Sequence, residues 1–166
     1  MAYTTAISNE KGGVAKTTTT LSLGAALAEL NHRVLLIDLD PQANLSLALG
    51  LETGEAETTS ANVLIENTPL SVAIRKTDIP HLDLVSSNSR IESAEQYLPM
   101  RSNYLTTLRS AIQLVESSYD YILLDCPPAA QKNRLCLSHL FLVRFHRHLQ
   151  LYLEFDIPQV LVCAIQ

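Results

Sequence analysis

A glycine-containing loop between an apolar segment and a helical one constrains this chain more than any other feature. The loop is Asn9-Glu10-Lys11-Gly12-Gly13-Val14-Ala15-Lys16-Thr17-Thr18. The segment before it, Thr4 to Ser8, reads as a strand. The segment after it, Thr17 to Leu30, reads as a helix with Leu23, Leu27 and Leu30 on one stripe. Strand, glycine loop and helix together supply backbone N–H donors and a positive helix end, which is what a phosphate chain requires. Gly12 and Gly13 let the backbone approach phosphates without Cβ interference, and Val14 and Ala15 complete the loop. Lys16 is placed to reach the β and γ oxygens. Thr17 can offer its hydroxyl to Mg²⁺, and Thr18 falls in the first helical turn, near an α-phosphate. The ordinary pattern G-x-x-x-x-G-K-[ST] has glycine where this chain has Glu10 and Ala15, and it has no lysine matching Lys11. The methyl of Ala15 is accommodated at negative φ and strained at positive φ; the sequence leaves both open.

Two further motifs follow apolar runs that end in an acid. Val34-Leu35-Leu36-Ile37 leads into Asp38-Leu39-Asp40-Pro41-Gln42, and Tyr121-Ile122-Leu123-Leu124 leads into Asp125-Cys126-Pro127-Pro128. Continuous rather than alternating apolarity predicts strands buried on both faces, as in a parallel sheet with helices on each side. Asp38 and Asp40, at i and i+2, point the same way while strand geometry lasts. Asp38 then lies near a Mg²⁺ shell, and Asp40 is placed to orient or deprotonate a water attacking a γ-phosphate. Asp125 ends its strand where an acid commonly holds Mg²⁺ through water.

Between these motifs, helices are expected over Leu45 to Leu51, Ala61 to Glu66, Leu70 to Arg75, Ile91 to Tyr97 and Ser102 to Ser117, a further strand over Leu82 to Ser86, and a polar surface loop over Glu52 to Ser60. Strands alternating with helices predict an α/β doubly wound sheet, with ligands at the C-terminal ends of the strands. All three motifs fall at such ends. A formal net charge of −5 gives no whole-chain sign of nucleic-acid or membrane binding. Three cysteines without framework spacing point to a reducing compartment rather than a disulfide scaffold. No signal peptide is visible. The apolar stretch Leu135 to Leu153 is broken by Arg144, His146, Arg147 and His148, so no spanning helix is expected there.

Taken in order, Lys11 to Thr19, Val34 to Gln42 and Tyr119 to Pro128 closely resemble the ParA/Soj partition ATPases of the deviant Walker A group, which also includes MinD. The resemblance covers roughly the first three quarters of the chain. It implies a P-loop NTPase-like, mostly parallel sheet with flanking helices, and an ATPase that needs ATP and Mg²⁺ and forms an ATP-dependent sandwich homodimer. In that dimer Lys11 would reach the partner's phosphates, a cation supplied in trans as an arginine finger is. Asp40 would correspond to the water-activating acid. The resemblance further implies slow hydrolysis stimulated by a ParB-like partner, non-specific DNA binding, a cytoplasmic, nucleoid-associated location with no membrane partner, and a role in plasmid or chromosome partitioning. Two alternatives stand beside it: a MinD-like, membrane-cycling division regulator, and a non-catalytic module that binds nucleotide or a family partner.

After Pro128 the resemblance stops. The expected division is a ParA-like nucleotide-binding part over residues 1–130 and an atypical tail over 131–166, leaving the fold incomplete at the C-terminus. Three of the five histidines and two of the three cysteines lie in that tail, an abrupt change that points to a frameshifted gene end or a shortened variant. Cys136, His139, His146 and His148 match no standard zinc spacing. Val160 to Ile165 is a candidate strand.

Overall fold

The computed structural model describes residues 2–9, 12–51, 54, 57–93, 104–128 and 161–165. The strands are β1 (Tyr3–Ser8), β2 (Val34–Asp38), β3 (Ile74–Lys76), β4 (Leu82–Val85), β5 (Tyr121–Asp125) and β6 (Leu161–Ile165). The helices are α1 (Lys16–Glu29), α2 (Asn44–Ala48), α3 (Ser60–Glu66), α4 (Leu70–Ala73) and α5 (Tyr104–Gln113). The strands form one sheet in the order β3-β4-β2-β5-β1-β6. The four inner strands are mutually parallel, and β3 and β6 run antiparallel at the two edges.

Alternation along each inner strand divides the core in two. Val34, Leu36, Leu82, Leu84 and Leu123 join Ile7, Ala28 and Leu45 on the face covered by α1 and α2. Leu35, Ile37, Val85, Ile122 and Leu124 face α3, α4 and α5, where Leu64, Leu70, Leu108 and Ile112 meet them. Both faces are covered, so the doubly wound α/β expectation holds. The same alternation sends Asp38 and Asp125 to the α1 face, in line with Leu36 and Leu123.

Helix α1 does not seat as its leucines suggested. The residues it buries are Lys16, Thr20, Gly24 and Ala28, while Leu30 is 69% exposed. Leu23 and Leu27 only flank the core. A row of small residues lets the helix axis approach the sheet closely: a Cβ on Gly24 would stand 2.7 Å from Leu36 Cδ2. Gly24→Val is therefore expected to destabilise the fold by about 2–3 kcal/mol through overpacking, well beyond its gain in helix propensity. Urea unfolding, with a midpoint lowered by roughly 1 M, checks this.

Three other expectations are corrected. Leu70 to Arg75 is helical only to Ala73; Ile74–Lys76 then pairs with β4, where Lys76 Nζ donates to Asp83 Oδ2 at 2.8 Å. Tyr119 Oη donates to the same oxygen at 2.7 Å, so this buried acid is held from two sides. Thr59 and Ser60 are buried rather than part of a surface loop, with Asn62 Oδ1 accepting the Thr59 N–H at the start of α3. The helix expected up to Ser117 ends at Gln113 and is followed by a 3-10 turn at Glu116–Ser118. Residues 91–93 are helical, and the rest of the helix expected to Tyr97 lies outside the described residues, as do Cys136, His139, His146 and His148. Leu161–Ile165 is a strand, as expected for that segment.

Candidate functional site

The C-terminal ends of β1, β2 and β5 meet at one level, with Ile7 and Asp38 both in register with Asp125. Above them opens a cleft of about 710 Å³. Its walls include Gly13 to Thr18 on one side, Asp40, Pro41, Gln42 and Asn44 on another, and Glu92, Pro127 and Pro128. The cleft thus gathers Gly13, Val14, Ala15, Lys16, Thr17, Thr18 and Asp40 from the expected site residues. Gly12 is exposed beside it, and a Cβ there would only touch Pro128 Cγ at 3.8 Å. Lys11 lies outside the described residues.

The loop's backbone explains its composition only in part. Gly13 has φ +71°, a left-handed conformation in which glycine is unstrained. Ala15 has φ 60°, which resolves the open question toward strain. The penalty for a left-handed alanine is about 1–2 kcal/mol, and glycine returns part of that as unfolded-chain entropy. Ala15→Gly is accordingly expected to stabilise the fold by up to about 1 kcal/mol, read as a melting temperature ~2–4 °C higher.

Ala15 also leaves α1 uncapped. It offers no side-chain acceptor, and the first turn carries no acid. The first N–H groups of a helix need partners from outside it, and this helix start faces the cleft. Lys16 is buried at 6% exposure yet lines the same cleft. Asp125, 1% exposed, accepts from Thr20 Oγ1 at 3.4 Å through Oδ1. Its Oδ2 has no partner in hydrogen-bonding geometry among the described residues. Burial pushes the Asp125 carboxyl up to about 7; Thr17 opposes the shift, Asp38 and Asp40 add to it, and Lys16 opposes it.

Asp38 is held differently. Oδ1 accepts from Asp40 N at 3.0 Å, and Oδ2 accepts from Ser46 N at 3.1 Å and Ser46 Oγ at 2.8 Å. It is fully buried and does not line the cleft. Burial pushes it up to about 6, against those hydrogen bonds. Asp40, by contrast, is part-exposed on the cleft wall. Its turn is closed by Ala43 N donating to Asp40 O at 2.9 Å, and Asp40 Oδ1 accepts from Gln42 N at 2.9 Å. Pro41, at the second position of that turn, fixes the φ the turn needs. Two buried carboxylates side by side, one with an unpartnered oxygen, form an environment that a cation would relieve. Among the described residues no group of three or more His, Cys, Asp or Glu could enclose a metal ion. A Mg²⁺-like ion that keeps waters and takes phosphate oxygens suits such a site better than an ion needing a protein cage.

Thr20, Ser46 and Glu92 belong to this region and were not anticipated. Thr20 and Ser46 are hydroxyl residues on helical turns, visible only once the helix faces are known. Glu92 carries no signal in the sequence.

This fold, with an uncapped glycine loop and two strand-end acids under one cleft, defines a nucleotide-phosphate-binding α/β protein. Residues 2–147 match the AAA domain family. The chain belongs to that family, and about three quarters of it is similar to Soj and ParA proteins. It is 39% identical over 124 residues to the sporulation initiation inhibitor protein Soj of Bacillus subtilis, covering 75% of this chain and 49% of that protein. It is 41% identical over 126 residues to the chromosome partitioning protein ParA of Caulobacter vibrioides, covering 75% and 47%. The chain spans about half the length of these curated relatives. Among solved structures it is similar to a cobyrinic acid a,c-diamide synthase from Mycobacterium smegmatis with bound ADP and magnesium. The TM-score is 0.76 at 37% identity, covering 84% of this chain and 55% of that one. Among the described residues no helix is long and apolar enough to cross a membrane.

Proposed function

We propose that this chain carries the nucleotide-binding half of a ParA-type ATPase that serves chromosome or plasmid partitioning. The observation that carries the proposal is the uncapped start of α1 opening on a cleft lined by Lys16 and Asp40, and by Pro127 and Pro128 just beyond Asp125. ATP phosphates would lie along Gly12 to Thr18, with Lys16 on their terminal oxygens. Thr17 and Asp125 would hold Mg²⁺, with Asp38 in the outer shell. Bound Mg²⁺ neutralises phosphate charge.

Asp40 would accept a proton from the attacking water as its oxygen bonds to the γ-phosphorus and the bond to the β–γ bridging oxygen breaks. ADP and phosphate are the products. Lys11 would complete the site of a second copy, so that dimerisation depends on ATP. A cytoplasmic, nucleoid-associated cycle with non-specific DNA and a ParB-like partner belongs to the same reading. Its support is the similarity to Soj and to ParA.

Nucleotide binding, turnover with and without DNA, and mass by light scattering of the purified chain test this reading. The wild type should bind Mg-ATP and double in mass with it. Lys11→Ala should bind ATP within about threefold of wild type and stay monomeric, because the lysine acts on the other copy. No Mg-ATP binding by the wild type would overturn the reading, and a normal ATP dimer of Lys11→Ala would overturn the role of Lys11.

A further inference from the structure

We infer that Ser46 is a positioning residue that latches the Asp40 loop to the ends of β2 and β4, an inference that rests on the ATPase reading for its catalytic consequence. Ser46 is fully buried in α2. Its hydroxyl donates to Asp38 Oδ2 at 2.8 Å and accepts from Ser87 N at 3.2 Å, just beyond β4. Its own N–H donates to the same Asp38 oxygen at 3.1 Å.

The other oxygen of Asp38 takes Asp40 N at 3.0 Å. One carboxylate therefore grips both ends of the Asp40–Ala43 turn: the N–H that enters it and the helix that leaves it. The grip stands in for a missing cap, since Ala43 before α2 is left-handed, at φ 52°, with no side-chain acceptor. Asp38, Ser46 and Ser87 are all fully buried, so water does not compete for these bonds. Remove the hydroxyl, and Asp38 loses a donor while the Ser87 N–H loses its acceptor. The turn then keeps its backbone bonds to Asp38 at the end of β2, but loses the hydroxyl bridge that ties Asp38 and α2 to the end of β4. Asp40, still bonded to Asp38 through its N–H, is then held less rigidly relative to the phosphate loop, and small misplacements of a catalytic group cost far more in rate than in binding.

The test compares Ser46→Ala with Ser46→Thr, which keeps the hydroxyl, by steady-state Mg-ATP turnover and by amide hydrogen exchange of the nucleotide-free chain. In Ser46→Ala, kcat should fall about 10–100-fold with KM within about threefold, and Ser46→Thr should restore kcat to within about threefold of wild type. Exchange at the amides of Asp40, Ser46 and Ser87 should speed up at least about tenfold in Ser46→Ala, with α1 and β5 unchanged. If Ser46→Ala does not fold, Ser46→Cys, a poor donor of similar size, replaces it against Ser46→Thr. Wild-type exchange at those three amides, a uniform rise across the sheet, or an unchanged kcat would each overturn the latch. Should the wild type show no turnover, the ATPase reading fails, and the exchange comparison still decides whether Ser46 holds the loop.

Discussion

Lys16→Ala is expected to lower Mg-ATP affinity by about 100-fold or more, a loss of roughly 3 kcal/mol. Lys16 is 6% exposed and lines the cleft, so its charge is poorly screened there. A cation in that setting interacts with a polyphosphate several times more strongly than one in open water. Among the described residues of the glycine-loop wall nothing else charged replaces it, since Val14, Ala15, Thr17 and Thr18 are neutral. The same ammonium also lowers the Asp125 carboxyl, so its loss leaves that buried acid harder to ionise and weakens the metal site as well. Titration with a fluorescent ATP analogue in the presence of Mg²⁺ measures the effect. A dissociation constant within about threefold of wild type would show that Lys16 does not hold phosphate. Lys16→Arg separates charge from shape: it keeps the charge, but its planar fork fits a narrow loop poorly.

Asp40→Asn carries the second large effect. An amide oxygen can still accept the Gln42 N–H that Asp40 Oδ1 accepts at 2.9 Å, so the turn survives while the charge and the base are lost. Turnover is expected to fall about 100- to 1000-fold with Mg-ATP affinity kept within about threefold, because a general base acts in the transition state and not in binding. Asp40→Ala should fall at least as far, since it also removes the turn's acceptor. Single-turnover phosphate release measures both. If Asp40→Asn hydrolysed ATP at the wild-type rate, the water would be oriented by another group, and Glu92, the other acid lining the cleft among the described residues, would be the next residue to replace.

The parts of this molecule that were readable from sequence are those in which chemistry and secondary structure coincide. Apolar runs ending in Asp38 and Asp125 marked buried strands, and both acids lie at strand ends in mutual register. The loop around Lys16 stood out because glycines, a lysine and two threonines lie between an apolar run and a helical pattern. What was unreadable depends on contacts between distant segments. The buried row Lys16, Thr20, Gly24 and Ala28 contains no large apolar side chain, so the apolar pattern of the flanking leucines points to the wrong stripe, and Leu30 is exposed. Ile74 to Lys76 continues a helical pattern locally and becomes a strand only because β4 offers an antiparallel edge and Asp83 a partner for Lys76. Ser46 lies on a short helix with no local signal, and its role depends on partners on β2 and beyond β4.

The shared level of Ile7, Asp38 and Asp125 bears on how this chain can change length. The acids owe their place to pairing between strands, and side chains alternate faces at every residue. One residue inserted within β2 would turn Asp38 away from α1 and toward Leu64 and Leu108, leaving a carboxylate among hydrocarbon. Extra residues between α2 and α3 would disturb no strand pairing and none of the described walls of the cleft. Insertions and deletions should therefore be tolerated in the connections and purged from the strands, so homologues of differing length should vary there while keeping the spacing from Val34 to Asp38 and from Tyr121 to Asp125 unchanged.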